Sequence, residues 1–264
     1  MPIEASIPLL PARSRPSDLV LGAVLVFRGL RLCGRVPKLR RLTGVSALLT
    51  LMVWTALAVG LVLFWPDVFA RLSPRPEGGF ALVIWGAMAL FSGGVVLLIG
   101  LSTLPPLLLA PLQDSLSEAT EQALGVPAVA GEARGWVKAN GVAVGHTLVR
   151  VGVYLGGQVA LLFLNLVPGL GSFAWTMLAT LWTALWVGVE YLDAPMVRHG
   201  HPFSHVRAVL RARPWLCLGF GLTVTGLLWI PGLNLVLVPA AGVAGTLLYQ
   251  ALLQARVLGQ PSTL

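Results

Sequence analysis

The chain has 264 residues, of which 56% are hydrophobic and 11% charged. An ordinary soluble domain carries about 25% charged residues, so this composition excludes a water-covered globule, and its apolar content excludes intrinsic disorder. The formal net charge of +8 points, in so apolar a chain, to basic cytoplasmic flanks of a membrane protein rather than to nucleic acid.

Residues 1–17 are Pro-rich and read as a disordered tail. The apolar run Leu19–Phe27 has nine residues and is followed by Arg28, Arg31, Arg35, Lys38, Arg40 and Arg41. A cleavable signal peptide would continue into small residues instead. The pattern predicts an N-terminal interfacial helix feeding a basic turn.

The first charge-free stretch, Thr43–Trp65, has 23 residues, enough to span roughly 34 Å as a helix and so to cross a bilayer core. Trp65-Pro66 is expected to end it. A second spanning helix is predicted from Phe80 to about Leu101, with Pro105-Pro106 breaking or kinking it. Segment 112–124 predicts a separate amphipathic helix capped by Asp114 or Ser115. Its apolar stripe is Leu112, Leu116, Ala119 and Ala123; Glu118 and Glu121 face elsewhere, as on a surface helix.

Two further charge-free stretches lie between Arg150 and Glu190 and between Arg213 and Arg256. Each has a breaker near its middle, Val167-Pro168-Gly169-Leu170-Gly171 and Ile230-Pro231-Gly232-Leu233-Asn234, and reads as an apolar helical hairpin. The arms Val151–Val167 and Pro214–Ile230 have 17 residues each, about 25 Å of helix, and Pro239 is expected to interrupt the last arm. Two readings stand: each hairpin crosses twice, or each dips in and returns as a re-entrant pair, the reading the short arms favour. The turns are 63 residues apart, and Leu164 matches Leu227 as Gly156 matches Gly219. Paired broken segments point to a transport site, although any membrane hairpin needs a breaker.

The fold class is therefore an all-α integral membrane protein, with two long transmembrane helices, two short apolar hairpins and the interfacial helix. Residues 18–256 form one membrane domain and 257–264 a C-terminal tail. Residues 1–42 carry eight basic and two acidic groups, whereas loop 66–79 carries two of each. The positive-inside rule places the N-terminus in the cytoplasm, with the C-terminus on the same side.

Chemistry-bearing motifs are few. Cys33 and Cys217 have no metal-ligand spacing, and a disulfide is not expected in that compartment. His199, His201 and His205 follow Asp193, but Pro202 and Phe203 interrupt them, and they read as a solvated connector rather than a metal site. No nucleophile elbow, phosphate loop or dinucleotide fingerprint occurs, so no enzyme, cofactor or catalytic residue is expected. Gly29-Leu30-Arg31 stands out. Glycine lets backbone N–H groups approach a ligand, and helix-terminal N–H groups with an arginine make an anion site. A basic flank beside anionic lipid explains the same arginines.

These stretches together resemble the CysZ-type sulfate permeases and the related etoposide-induced-protein domain. The likeness covers roughly residues 18–250. It is carried by Ala110-Pro111-Leu112 with the following LSEATEQALG, by Val167–Gly171, by Glu190-Tyr191-Leu192-Asp193-Ala194-Pro195 with Pro202-Phe203 and Arg207-x-x-Leu210-Arg211, and by Phe220-Gly221, Ile230–Asn234, Pro239 and Gly245. The resemblance implies an inner-membrane homo-oligomer in the lipid bilayer that takes up sulfate for cysteine synthesis. It maps the family's sulfate-binding motif onto Gly29, Leu30 and Arg31, with Leu32 where the family often has a basic residue. His146, Thr147 and Arg150 align with the family's Arg-Glu pair and following Lys, so the acid is missing here. Glu118, His146, Arg150, Asn165 and Asn234 are the candidates for a pathway or gate. Pro168, Gly169, Pro231 and Gly232 are expected to make the hairpin turns. The alternative function is a non-transporting membrane protein that organises partners or lipids.

Overall fold

The computed structural model describes residues 14–126, 151–199, 203–230 and 232–258, with the single positions 8, 10, 11, 149 and 201. Described secondary structure is helical, as an apolar solvent requires: it offers backbone N–H and C=O groups no partners, so each segment must satisfy its own. The helices are α1 (Asp18–Arg35), α2 (Pro37–Leu72) and α3 (Gly79–Ala123). Then come α4 (Val151–Leu166), whose last turn is a 3-10 turn over Phe163–Leu166, α5 (Gly171–Arg198) and α6 (Phe203–Ala212). The last two are α7 (Pro214–Leu228) and α8 (Asn234–Gln254). Among the described residues four stretches are long and apolar enough to cross a membrane: Pro37–Leu72, Gly79–Leu101, Gly171–Arg198 and Asn234–Gln254.

Several sequence expectations are corrected. Trp65-Pro66 does not end the first span, because α2 runs through Pro66 to Leu72. Nor does the Pro105-Pro106 pair end α3, which continues without interruption to Ala123. The predicted separate helix at 112–124 is thus the last part of α3, and Asp114 and Ser115 lie inside that helix rather than at an N-terminus. Pro239 sits inside α8, which it does not interrupt. A proline removes one ladder bond, and burial of Leu237, Pro239, Ala240 and Ala241 holds the helix together across that gap. Within the described residues α4 has 16 residues and α7 15, while the second arms have 28 residues in α5 and 21 in α8.

Both hairpin turns use the expected glycines. Gly169 has φ +80° and Gly232 φ +81°, left-handed conformations in which an L side chain is strained. Pro231 lies outside the described residues.

The chain forms two compact units, residues 1–43 with 113–264, and residues 44–112. In the smaller unit, Trp65 Nε1 donates to the Ala89 carbonyl at 2.8 Å and Trp85 Nε1 to the Ser73 carbonyl at 2.8 Å. These indoles thus bind the two helices to each other. Leu63, Phe64, Leu90 and Phe91 stay exposed, a surface suited to lipid.

In the larger unit, α7 lies against α1 and α5, and α8 against the same two helices. The core is built from Leu25, Leu192, Leu216, Phe220, Val224 and Leu248, all fully buried. Glycines permit backbone-to-backbone contact here. A Cβ on Gly219 would collide with the Leu19 carbonyl, and one on Gly22 with the Leu216 carbonyl, so α1 and α7 meet through these two residues. A Cβ on Gly221 would overlap the Ala184 carbonyl of α5. Gly156, the sequence match of Gly219, has open space around it, so the internal echo does not extend to packing.

One prediction follows from α7 alone. Gly221→Ala forces α5 and α7 apart and is expected to cost about 1–3 kcal/mol. Gly226→Ala, with nothing within 4 Å of its Cβ, should be neutral or slightly stabilising. Thermal unfolding of the two variants in one detergent checks this, and equal losses would refute the packing account.

Candidate functional site

Gly29, Leu30 and Arg31 lie in the middle of α1, not at a helix end. Only the first four N–H groups of a helix lack intrahelical partners, so the N–H groups of these three residues belong to the helical ladder. The expected cradle of helix-terminal N–H groups is therefore not formed. Gly29 is buried, and its missing side chain has another cause: a Cβ there would come 2.6 Å from the Ala244 Cβ of α8. Leu30 is half-buried and Arg31 exposed. The Arg31 guanidinium is thus an exposed cation, with exposed Arg35 one turn on and exposed Lys38 at the start of α2.

A second polar centre lies where the end of α3 meets α5 and α8. Sequence reasoning placed Glu121 on a solvated face, but it is fully buried. Its Oε1 is 2.9 Å from His199 Nε2, and its Oε2 is 3.4 Å from Arg198 Nη1. Arg198 Nη2 also donates to the Asp114 carbonyl oxygen. Burial raises the Asp114 carboxyl above its usual range, and Arg198 partly offsets this. Thr246 of α8 donates to Ser117 Oγ at 3.0 Å. The buried face of this segment is Ser117, Thr120, Glu121 and Leu124, with Leu116 beside it. Its i, i+3, i+4, i+7 spacing was present in the sequence, and only its polar members concealed it from a search for apolar stripes.

The histidines are not a solvated connector. His199 and His201 are buried, at 6% and 7% exposure. His201 Nε2 lies 3.0 Å from the Tyr249 hydroxyl, and the His199 ring stacks on Tyr249 at 4.9 Å. Among the described residues no group of three His, Cys, Asp or Glu side chains is arranged to hold a metal.

The remaining candidates are dispersed. Exposed Glu118 accepts from Gln122 at 3.0 Å, and Gln122 accepts from Lys38 at 2.8 Å, which ties the end of α3 to the start of α2. Asn165 donates to the Leu162 carbonyl at 3.2 Å, a local bond at the end of α4. Asn234 begins α8, and among the described residues its Oδ1 has no hydrogen-bond partner. Ten residues, about 15 Å of helix, separate it from the Ala244 crossing at Gly29. His146 and Arg150 lie outside the described residues, as does Thr147. The α4–α5 hairpin also carries a polar trio that sequence reasoning missed. Gln158 Nε2 donates to Thr183 Oγ1 at 2.9 Å and to the Tyr154 hydroxyl at 3.1 Å.

A chain of helices that includes charge-poor stretches long enough to cross a bilayer defines a helical integral membrane protein. The family model described as Sulfate transporter CysZ/Etoposide-induced protein 2.4 matches residues 25–239, and the chain belongs to that family. A protein named Sulfate transporter CysZ from Pseudomonas paraeruginosa is 28% identical over 249 residues, covering 91% of this chain and 95% of the relative. One of the same name from Pseudomonas aeruginosa has the same identity and coverage.

Glu121→Ala leaves His199 and Arg198 without their carboxylate in a buried site and is expected to destabilise the protein by about 3 kcal/mol. Glu118→Ala, on the exposed side of the same turn, should stay within about 0.5 kcal/mol of the parent. Paired denaturation measurements check the contrast, and a Glu121→Ala protein as stable as the parent would contradict the burial.

Proposed function

We propose that this protein carries sulfate across a bacterial inner membrane, as a homo-oligomer with both termini in the cytoplasm, for use in cysteine synthesis. The observation that carries the reading is the family match from residue 25 to residue 239, which includes Gly29-Leu30-Arg31 and both Pro-Gly turns. The relatives named as sulfate transporters cover nearly the whole chain.

In this proposal Arg31 is the anion contact. Its side chain is exposed on α1 while Gly29 fixes that helix against α8. A guanidinium suits a tetrahedral oxyanion because its planar donors can engage two oxygens at once. Leu30 sets the register between them. Glu118, His146, Arg150, Asn165 and Asn234 are proposed to line or gate the pathway, and the turns at Pro168-Gly169 and Pro231-Gly232 to let the hairpins reverse.

The second reading is a membrane protein that organises lipids or partners without transport. It is favoured by the N–H groups of residues 29–31 lying within α1, which leaves the arginine without a backbone cradle.

The test is flux of labelled sulfate into liposomes containing the purified protein. Loss of a charge-assisted hydrogen bond is worth about 1.5–3 kcal/mol, so Arg31→Ala should weaken half-saturation by roughly 10- to 150-fold, with Arg31→Lys in between. Flux equal to that of protein-free liposomes would dispose of the transport reading. Flux indifferent to Arg31→Ala would remove that residue from the site.

A further inference from the structure

We propose that the buried imidazoles of His199 and His201, with the neighbouring His205 and clasped between Glu121 and Tyr249, form a proton-responsive latch. With His201 neutral it fastens the α5–α6 corner to α3 and α8, and protonation of His201 releases that corner.

The geometry supplies each part. The corner begins where Pro195 lies inside α5 and the helix ends at Arg198. Among the described residues its backbone bonds include His199 N–H to the Pro195 carbonyl at 3.1 Å and His201 N–H to the Met196 carbonyl at 2.9 Å. Side chains then tie it to two other helices. His199 reaches Glu121 of α3 at 2.9 Å and stacks on Tyr249 of α8, while His201 reaches the Tyr249 hydroxyl at 3.0 Å. The His205 ring of α6 lies 5.1 Å from the His201 ring.

Among the described residues, the neighbours of the His201 ring are the Tyr249 hydroxyl and the imidazoles of His199 and His205, not a carboxylate. Its side-chain hydrogen bond goes to the Tyr249 hydroxyl. Glu121, the nearby acid on α3, already has one oxygen on His199 and the other on Arg198. Asp114, the other acid near Arg198, is an exposed side chain whose carboxyl lies above its usual range and faces Arg198. The remaining titratable neighbours, His199 and His205, can only add positive charge. A proton on His201 would therefore place a cation in a buried site between two imidazoles.

The sign follows from these surroundings. Burial lowers the His201 pKa below its usual value, and His205 and His199 lower it further. In an opened corner the ring would titrate near the ordinary value of about 6.5. The closed form binds fewer protons than the open one below that pH. The latch is thus at full strength above about pH 6.5 and weakens as pH falls through and below that value.

Hydrogen exchange on the full-length protein in lipid nanodiscs tests this at pH 7.5 and 5.0, with intrinsic exchange rates divided out. The parent should show at least tenfold faster exchange in residues 196–212 at pH 5.0, with the α7 peptide 214–228 unchanged. His201→Gln keeps a polar partner for Tyr249 and carries no titrating group, so its corner should exchange at the same rate at both pH values. Tyr249→Phe should loosen the corner already at pH 7.5. His205→Gln, which removes one facing imidazole, should shrink the acid effect and gives a readout even if His201→Gln does not fold. No acid response in the parent, an undiminished response in His201→Gln or His205→Gln, or loosening spread equally over 214–228, would overturn the proposal.

Discussion

Contact between backbones, made possible by missing side chains, is the constraint on which the larger unit depends. α7 is only 15 residues long, yet it touches α1 through Gly219 and α5 through Gly221 with no side chain between the main chains. Apolar helices in an apolar solvent gain little from hydrophobic burial against each other, so close van der Waals packing must supply the attraction. Small residues at crossings bring more atoms within range than large ones would. The same rule explains Gly29 against Ala244, and the position of Arg31 follows from that crossing two residues earlier.

Ionised groups then fix what close packing alone leaves free to slide. Arg213, between α6 and α7, is buried against Asp18 at the start of α1 at 3.2 Å, and it also donates to the Pro11 carbonyl. Glu121 with His199 and Arg198 does the same for the end of α3 and the end of α5. Buried pairs add little net stability, because desolvation offsets attraction, but a shifted register would leave a charge unpaired at several kcal/mol. Both pairs therefore act as register pins at helix ends.

In the proposed transport reading, anion contact rests on fewer groups than the motif suggests. There Arg31 works as a side chain on an unbroken helix rather than with free backbone donors, and Arg35 and Lys38 share its exposed basic stretch. The buried polar centre at Glu121 is separate in kind: its donors and acceptors are largely spent on one another, so it governs how helices are held rather than what they carry.

The sequence by itself determined the solvent, the helical class, the long apolar stretches and the two Pro-Gly turns. Each follows from local composition: an apolar run must satisfy its own backbone, and only glycine takes the left-handed turn cheaply. It also carried the family pattern. Tertiary structure decided where helices end and which polar groups are inside. Pro66, Pro105-Pro106 and Pro239 look like breakers in a string of letters, but each lies within a continuous helix, and at Pro239 buried neighbours hold the helix across the lost bond. Glu121, His199 and His201 look solvated because ionisable residues are expensive to bury. They are buried because residues some 50 to 80 positions away in the chain meet them, and only the folded chain brings such partners together.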